Sequence, residues 1–184
     1  MGRVNGRSAL DTRRQVLDAA ATTIRKLGPA ASLDLIARTA GVSKGGLKYH
    51  FTSKDELFRA LANDLLEGFR EEVANNVDPH DQEAGRFVRA YVRTRMNPAA
   101  LAGEARDFSA LVSLLSTEPA VLELARADAT WWDERLAADG LPERVYSVVV
   151  AAADGISCSA AWGSEHSPAE IERITGYLLD LTRS

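Results

Sequence analysis

Gly41-Val42-Ser43-Lys44-Gly45-Gly46-Leu47-Lys48-Tyr49-His50-Phe51 is the stretch that decides the fold. Ahead of it, Ser32 to Ala40 reads as a short amphipathic helix, because Leu35, Ile36 and Ala40 fall at helical spacing. A glycine at position 41 tolerates the left-handed backbone that turns one helix sharply into the next. Val42 can plug the angle between the two, and Ser43 suits the N-cap of the second helix. In that helix Leu47 and Phe51, four residues apart, share the inward face. The pattern is that of a helix-turn-helix.

The outward set of the second helix is Lys44, Gly45, Gly46, Lys48, Tyr49 and His50, and it is rich in hydrogen-bond donors. Two glycines inside a first helical turn cost roughly 1 kcal/mol each relative to alanine. A bare surface for close approach by another molecule is a physical reason to keep them. Lysines beside it reach guanine edges or phosphates, and Tyr49, His50 and Lys54 can donate to phosphate oxygens. The stretch points to DNA.

Outward from this core, a leading helix from about Asp11 to Leu27 carries Val16, Leu17, Ala20, Ile24 and Leu27 on its inner face, and Gly28 marks the bend after it. Beyond the motif, Ser53 and Glu56 stand at capping-box spacing. Leu57, Phe58, Leu61, Leu65, Phe69 and Val73 then continue at helical spacing to about Asn76. Three short helices bury too little surface alone, so this fourth helix is needed to complete the head.

In these residues the first third of the chain resembles the TetR family of transcriptional regulators. The match runs from the leading helix with its glycine bend, through Leu33 to Phe51, to the Ser53, Lys54 and Leu57 opening of the fourth helix. The resemblance implies that Lys44, Gly45, Gly46 and Lys48 meet base edges, while Ser32, Ser43, Tyr49, His50 and Lys54 meet phosphates. Lys48 stands where the family often carries an aromatic residue. The family's fold, dimerisation through the last two long helices, small-molecule effectors and usual mode of repression are implied by the same likeness.

Charge is segregated along the chain. Met1 to Lys54 holds 10 Lys or Arg against 3 Asp or Glu, net +7, and the remainder holds 12 against 23, net −11, which together make the overall −4. A positive head supplies sequence-independent attraction to phosphate while an acidic body stays off DNA. Residues 1–10, with Arg3 and Arg7, read as a flexible basic arm. Residues 11–54 read as the helix-turn-helix DNA-binding domain and 55–184 as a helical ligand-sensing and dimerisation domain.

The body reads as helix throughout, giving an all-α chain of about nine helices. Val77 to Gln82 forms a loop before a helix with Phe87, Val88, Tyr91 and Val92, and Asn97 with Pro98 starts a short one. Phe108, Leu111, Val112, Leu114 and Leu115 make another, and Pro119 to Ala138 a longer one that Gly140 ends. Pro142 opens a helix to about Trp162, with Val145, Val148, Val149, Ala152, Ile156 and Ala160 on one stripe. Gly163 closes it, and Ser167, Pro168 and Glu170 start the last helix.

The two final helices are the expected homodimer interface. Ala152, Gly155, Ser159, Ala160 and Gly163 allow close approach, and Ile156, Ile171, Ile174, Leu178 and Leu181 add apolar area. A two-fold pair doubles the few contacts of one helix-turn-helix and sets the recognition helices about 34–36 Å apart. Phe69, Phe87, Tyr91, Phe108, Leu111, Trp131, Trp132 and Tyr146 either line an effector pocket or form core. Glu104, Arg93, Asp107 and Asp128 either set ligand polarity or are solvated charges.

Other classes fare worse. His50, His80 and His166 have no metal-ligand spacing, and the metalloprotease, serine-hydrolase and phosphate-loop motifs are absent, so neither an enzyme nor a cofactor or metal is expected. Cys158 is the sole cysteine and reads as a small buried hydrophobe. No run of 18 or more apolar residues spans a membrane, and the start lacks an apolar signal-peptide centre, so a cytoplasmic protein is expected. The alternative within DNA binding is a coating or architectural protein without ligand input, which a basic head on an acidic body disfavours.

Overall fold

A computed structural model describes residues 8–101, 111–159, 164 and 166–183. Among them the secondary structure is helical: α1 (Ala9–Leu27), α2 (Leu33–Thr39), α3 (Lys44–His50), α4 (Lys54–Asn75), α5 (Arg86–Arg95), α6 (Pro98–Leu101), α7 (Pro119–Ala137), α8 (Glu143–Ser159) and α9 (Pro168–Leu181). Residues 111–116 are helical as well. Phe108, Glu104, Asp107, Ala160 and Gly163 lie outside the described residues.

Two compact units emerge. The first comprises the chain up to Asp64 together with Ser113–Leu124, and the second Leu65–Val112 with Ala125–Ser184. In the first, α2 packs on α1 and α3, and Val16, Leu17, Ala20, Ile24, Ile36 and Leu47 are buried between them. Phe51, Leu57, Phe58 and Leu61 extend the same core onto the start of α4. Arg14 fastens α1 to α4 by donating from one Nη to both carboxylate oxygens of Asp64, at 2.7 and 2.8 Å.

Local chemistry sets the helix ends. α1 starts two residues before the expected Asp11, because Ser8 and Asp11 form a reciprocal capping box; residues 8–10 therefore belong to a helix end and not to an arm. Gly28, Gly41 and Gly140 all adopt positive φ, as their places at bends require. At α4 the box is offset by one residue. Ser53 Oγ accepts from the Glu56 N–H, but the Glu56 carboxylate accepts from the backbone and hydroxyl of Thr52 instead of from Ser53.

The second unit is built on α5, which packs against α8 and α9. Phe87, Val88, Ala90, Tyr91 and Val92 are buried there with Val73, Met96, Leu136, Val149 and Ala153. On α8 the buried line runs Val149, Ala153, Ser157. Val148, expected on the inward stripe, is 60% exposed, since it sits about 100° round the helix from Val149. Gly85, the N-cap of α5, has φ 86° and no capping side chain of its own. Asp139 supplies the cap, its Oδ2 accepting from the N–H groups of Phe87 and Val88 at 2.8 Å each.

Candidate nucleic-acid interface

The second helix of the motif, α3, is set by three local features. Gly41, at φ 65°, turns the chain and donates its N–H to the Arg38 carbonyl at 3.0 Å. The Val42 N–H donates to the Ala37 carbonyl at 3.0 Å, which locks the turn against α2. Ser43 caps α3, its Oγ accepting from the Gly46 N–H at 3.0 Å. Below the helix Leu47 and Phe51 are fully buried, and the Arg13 guanidinium lies 5.0 Å from the Phe51 ring centroid. The anchored face leaves the other face no freedom to roll.

On the outer face Lys44, Gly45, Lys48 and Tyr49 are exposed, and Gly46 and His50 are partly so. Tyr49 is the extreme case at 81% exposed. Its ring meets that of His50 edge-on at 5.1 Å, which holds the two donors side by side. Lys54, the first residue of α4, carries its ammonium 5.2 Å from the Phe58 ring centroid.

The two glycines turn out to differ. A Cβ on Gly46 would stand 3.3 Å from Ser43 Oγ and press on the cap, so the fold itself favours glycine there. A Cβ on Gly45 would meet nothing nearer than 3.9 Å. Nothing among the described residues demands glycine at position 45, and it is the bare spot on the outer face.

Ser32 and Ser43, read from the sequence as phosphate contacts, are both N-caps. Accepting from a backbone N–H uses one lone pair of each oxygen and leaves the hydroxyl hydrogen as a donor. Capping and phosphate contact are therefore compatible. Sequence reasoning missed Asp34, whose carboxylate takes Lys44 Nζ at 2.9 and 3.0 Å from its two oxygens. The hydrogen bond from Lys44, with the added charges of Arg38 and Lys48, holds this carboxyl below its ordinary range.

Five of the residues expected around an effector, Phe69, Phe87, Tyr91, Trp131 and Trp132, come together in the second unit. Phe69, Tyr91 and Trp132 meet pairwise at ring-centroid distances of 5.1–5.6 Å, and Trp131 and Phe87 join through Trp132. Tyr91, Phe87 and Leu111 are buried, while Trp131, Trp132 and Tyr146 are half-buried. Arg95 enters this shell. Its guanidinium stacks 4.5 Å from the Phe69 centroid and pairs with Asp154 at 2.9 Å, and Asp154 also accepts from the Tyr91 hydroxyl at 2.7 Å. Burial is the main force pushing the Tyr91 phenol upward.

Asp128 is not solvated: it is buried, accepts from Arg70 Nε at 2.8 Å, and Arg70 lies over Trp131. An open groove of about 490 Å³ between Gln82, Arg86, Arg135 and Asp139 includes only Phe87 of the expected set. Ile171 and Leu178, expected at a subunit interface, are buried within the chain, because they point from α9 into the core with Val149 and Ala153. Gly155 and Leu181 remain exposed, as do Val148 and Tyr177, and Ala152, Ile156, Ser159 and Ile174 are half-buried. Among the described residues no helix is long and apolar enough to cross a membrane.

Comparison with known proteins agrees with this geometry. Residues 16–61 match the family model for bacterial regulatory proteins of the tetR family, and residues 85–183 match that for the tetracyclin repressor-like C-terminal domain. The uncharacterized HTH-type transcriptional regulator TtgW of Pseudomonas putida is 40% identical over 62 residues, which cover 33% of this chain and 46% of that protein. The nicotine-responsive transcriptional repressor HdnoR of Paenarthrobacter nicotinovorans is 40% identical over 72 residues, 39% of this chain and 37% of its own length. The chain thus spans less than half the length of these relatives. Over nearly the whole chain, the structure of a TetR-family member from Streptomyces coelicolor superposes with a TM-score of 0.71 at 26% identity, covering 94% of this chain and 98% of the other. With the helix-turn-helix and the helical body each matched in its own segment, this chain belongs to the TetR family of helix-turn-helix transcriptional regulators, DNA-binding proteins and not enzymes.

Proposed function

We propose that the chain is a homodimeric repressor that holds a palindromic operator with two copies of α3 and releases it when a small molecule binds the helical body. The observation that carries this reading is the outer face of α3: exposed Lys44, Lys48 and Tyr49 around the bare Gly45, fixed from below by buried Leu47 and Phe51. A lysine and glycine surface that is rigidly held, basic and open fits a major groove. Lys44, Gly45, Gly46 and Lys48 are assigned to base edges, and Ser32, Ser43, Tyr49, His50 and Lys54 to phosphates. In this reading residues 11–54 are the DNA-binding head and 55–184 the sensing and pairing body, working in the cytoplasm where the DNA is.

Pairing is assigned to the outer faces of α8 and α9. Val148, Ala152, Gly155 and Ser159 recur at helical spacing on α8, as Ile174, Tyr177 and Leu181 do on α9. The exposed large side chains at Val148, Tyr177 and Leu181 support a partner there. Effector binding is assigned to the aromatic shell of Phe69, Tyr91, Trp131 and Trp132. The name of the nicotine-responsive relative supports an effector of modest size. Because α4 contributes Leu57 to the core of the first unit and Val73 to that of the second, a shift of this helix can carry the signal. Loss of a few base contacts, each worth roughly 1–3 kcal/mol, vacates an operator.

Selection of bound fragments from random duplex DNA, followed by footprinting, tests the reading. One short palindrome protected by a dimer is the expected result. Uniform protection along any duplex would mean a coating protein, and no binding at low ionic strength would end the proposal.

A further inference from the structure

Within the segment from Leu33 to His50, Asp34 is the one acidic residue, and it stands among Lys44, Arg38 and Lys48. A lone carboxylate on a surface that meets phosphate weakens every DNA contact unless it has a task there. Its geometry supplies one. Both Asp34 oxygens lie within 3.0 Å of Lys44 Nζ, although each side chain is more than half exposed. Lys44 is therefore already neutralised. A cation paired this way displaces no counterion from DNA and adds nothing to sequence-independent binding.

We propose that Asp34 is a specificity-determining residue that works with Lys44 as one reading unit, matched to a G·C base pair. The major-groove edge of that pair sets the guanine O6 and N7 acceptors beside the cytosine N4 amino donor. Lys44 donates to the guanine while Asp34 accepts from the cytosine, and the ion pair between them keeps both in place. At other base pairs the amino donor is displaced relative to the acceptors that Lys44 needs, or the carboxylate meets acceptors and phosphate charge, so the same pair penalises wrong sites. This assignment rests on the DNA-binding reading above, and it adds a residue from α2 to the base-reading set.

The test compares the intact protein with its Asp34→Asn, Asp34→Glu and Asp34→Asn/Lys44→Ala variants, on the selected operator duplex and on a random duplex, across a salt series. Asp34→Asn releases Lys44, so binding to the random duplex should tighten and its log-log salt slope should steepen by about 0.9 per subunit. Discrimination at one G·C pair of each half-site should fall by roughly 5- to 150-fold. Asp34→Glu should keep most of both properties. In the Lys44→Ala background, Asp34→Asn should leave the slope nearly unchanged, because no cation remains to be released. A purely structural role for Asp34 in the first turn of α2 would change thermal stability and leave the slope alone. An unaltered slope and base preference in Asp34→Asn overturn the inference while the DNA-binding reading stands; failure of the unsubstituted protein to bind any duplex overturns both.

Discussion

Arg89 and Asp81 meet fork to fork, with Nε and Nη2 of the arginine each 2.7 Å from a different carboxylate oxygen. Arg89 is fully buried, and its other donors reach the carbonyls of Glu83, Ala84 and Thr182. One side chain thereby ties the loop before α5 to the end of α9. Removing the carboxylate leaves a buried guanidinium uncompensated, and Asp81→Ala should cost about 3–5 kcal/mol in urea unfolding. The double variant Asp81→Leu/Arg89→Met should recover part of that, since no lone charge remains buried. A loss below about 1 kcal/mol for Asp81→Ala would show that the pair does not hold the loop.

The same pair predicts a pH dependence. The Arg89 hydrogen bonds hold the Asp81 carboxyl below its ordinary range, so the folded protein binds the proton less readily than the unfolded chain does. Its contribution is complete above the unfolded value of about 3.9 and fades as pH falls below it toward the folded value. Stability followed by urea midpoint should decline below about pH 4, and this part of the decline should vanish in the Asp81→Leu/Arg89→Met variant. An equal decline in both would assign it to other carboxylates.

Gly45 and Gly46 should separate folding from binding. Alanine at position 45 finds open space and gains helix propensity of about 1 kcal/mol, which raises the melting temperature by about 2–4 °C. The added methyl stands on the bare spot of the outer face, and operator affinity should fall roughly tenfold or more. Alanine at position 46 presses on the Ser43 cap, so its propensity gain is offset and the melting temperature should hardly move. Equal operator affinity for Gly45→Ala and the unsubstituted protein would remove Gly45 from the interface.

The head was legible in the sequence because its signals are local. Ser43, Gly41, Leu47 and Phe51 lie within one motif, and cap, turn and inward face follow from spacing alone. Helix starts at α2, α6 and α9 were readable for the same reason, through Ser32, Pro98 and the Ser167–Glu170 box. What escaped was made by distance along the chain. Asp139 caps α5 from more than 50 residues away, and Arg95 finds Asp154 on another helix. Asp34 escaped differently: ten residues separate it from Lys44, and only the angle between α2 and α3 brings them together. Ile171 and Leu178 misled because apolar spacing marks a buried face without saying whether the partner is the same chain or a second copy.

Lys44→Ala and Tyr49→Phe should behave as different kinds of contact. Lys44 is assigned to a base edge, so its loss should relax preference at one position by roughly 1–3 kcal/mol and weaken the operator more than random duplex, which the unpaired Asp34 also disfavours. Tyr49 is assigned to phosphate, and loss of its hydroxyl should weaken all duplexes alike. Equal losses on operator and random DNA for both substitutions would undo the division of roles.

Dimerisation is best tested on side chains that face away from the core of the second unit. Tyr177 is 61% exposed and Leu181 47%, and both lie on the flank of α9, about 60–120° round the helix from the buried Ile171 and Leu178. Replacing Tyr177 and Leu181 with aspartate places two like charges on each partner where the α8 and α9 faces would meet, and such juxtaposition costs several kcal/mol across an interface. The double variant should sediment as a folded monomer with unchanged helical circular dichroism. Its operator affinity should drop far more than its affinity for random DNA, because the specific complex needs two half-sites held at fixed spacing while single encounters with phosphate do not. Aspartate at Ile171 should instead unfold the second unit, since that side chain is core. A Tyr177→Asp/Leu181→Asp protein that remains dimeric would move the interface to another face of the molecule.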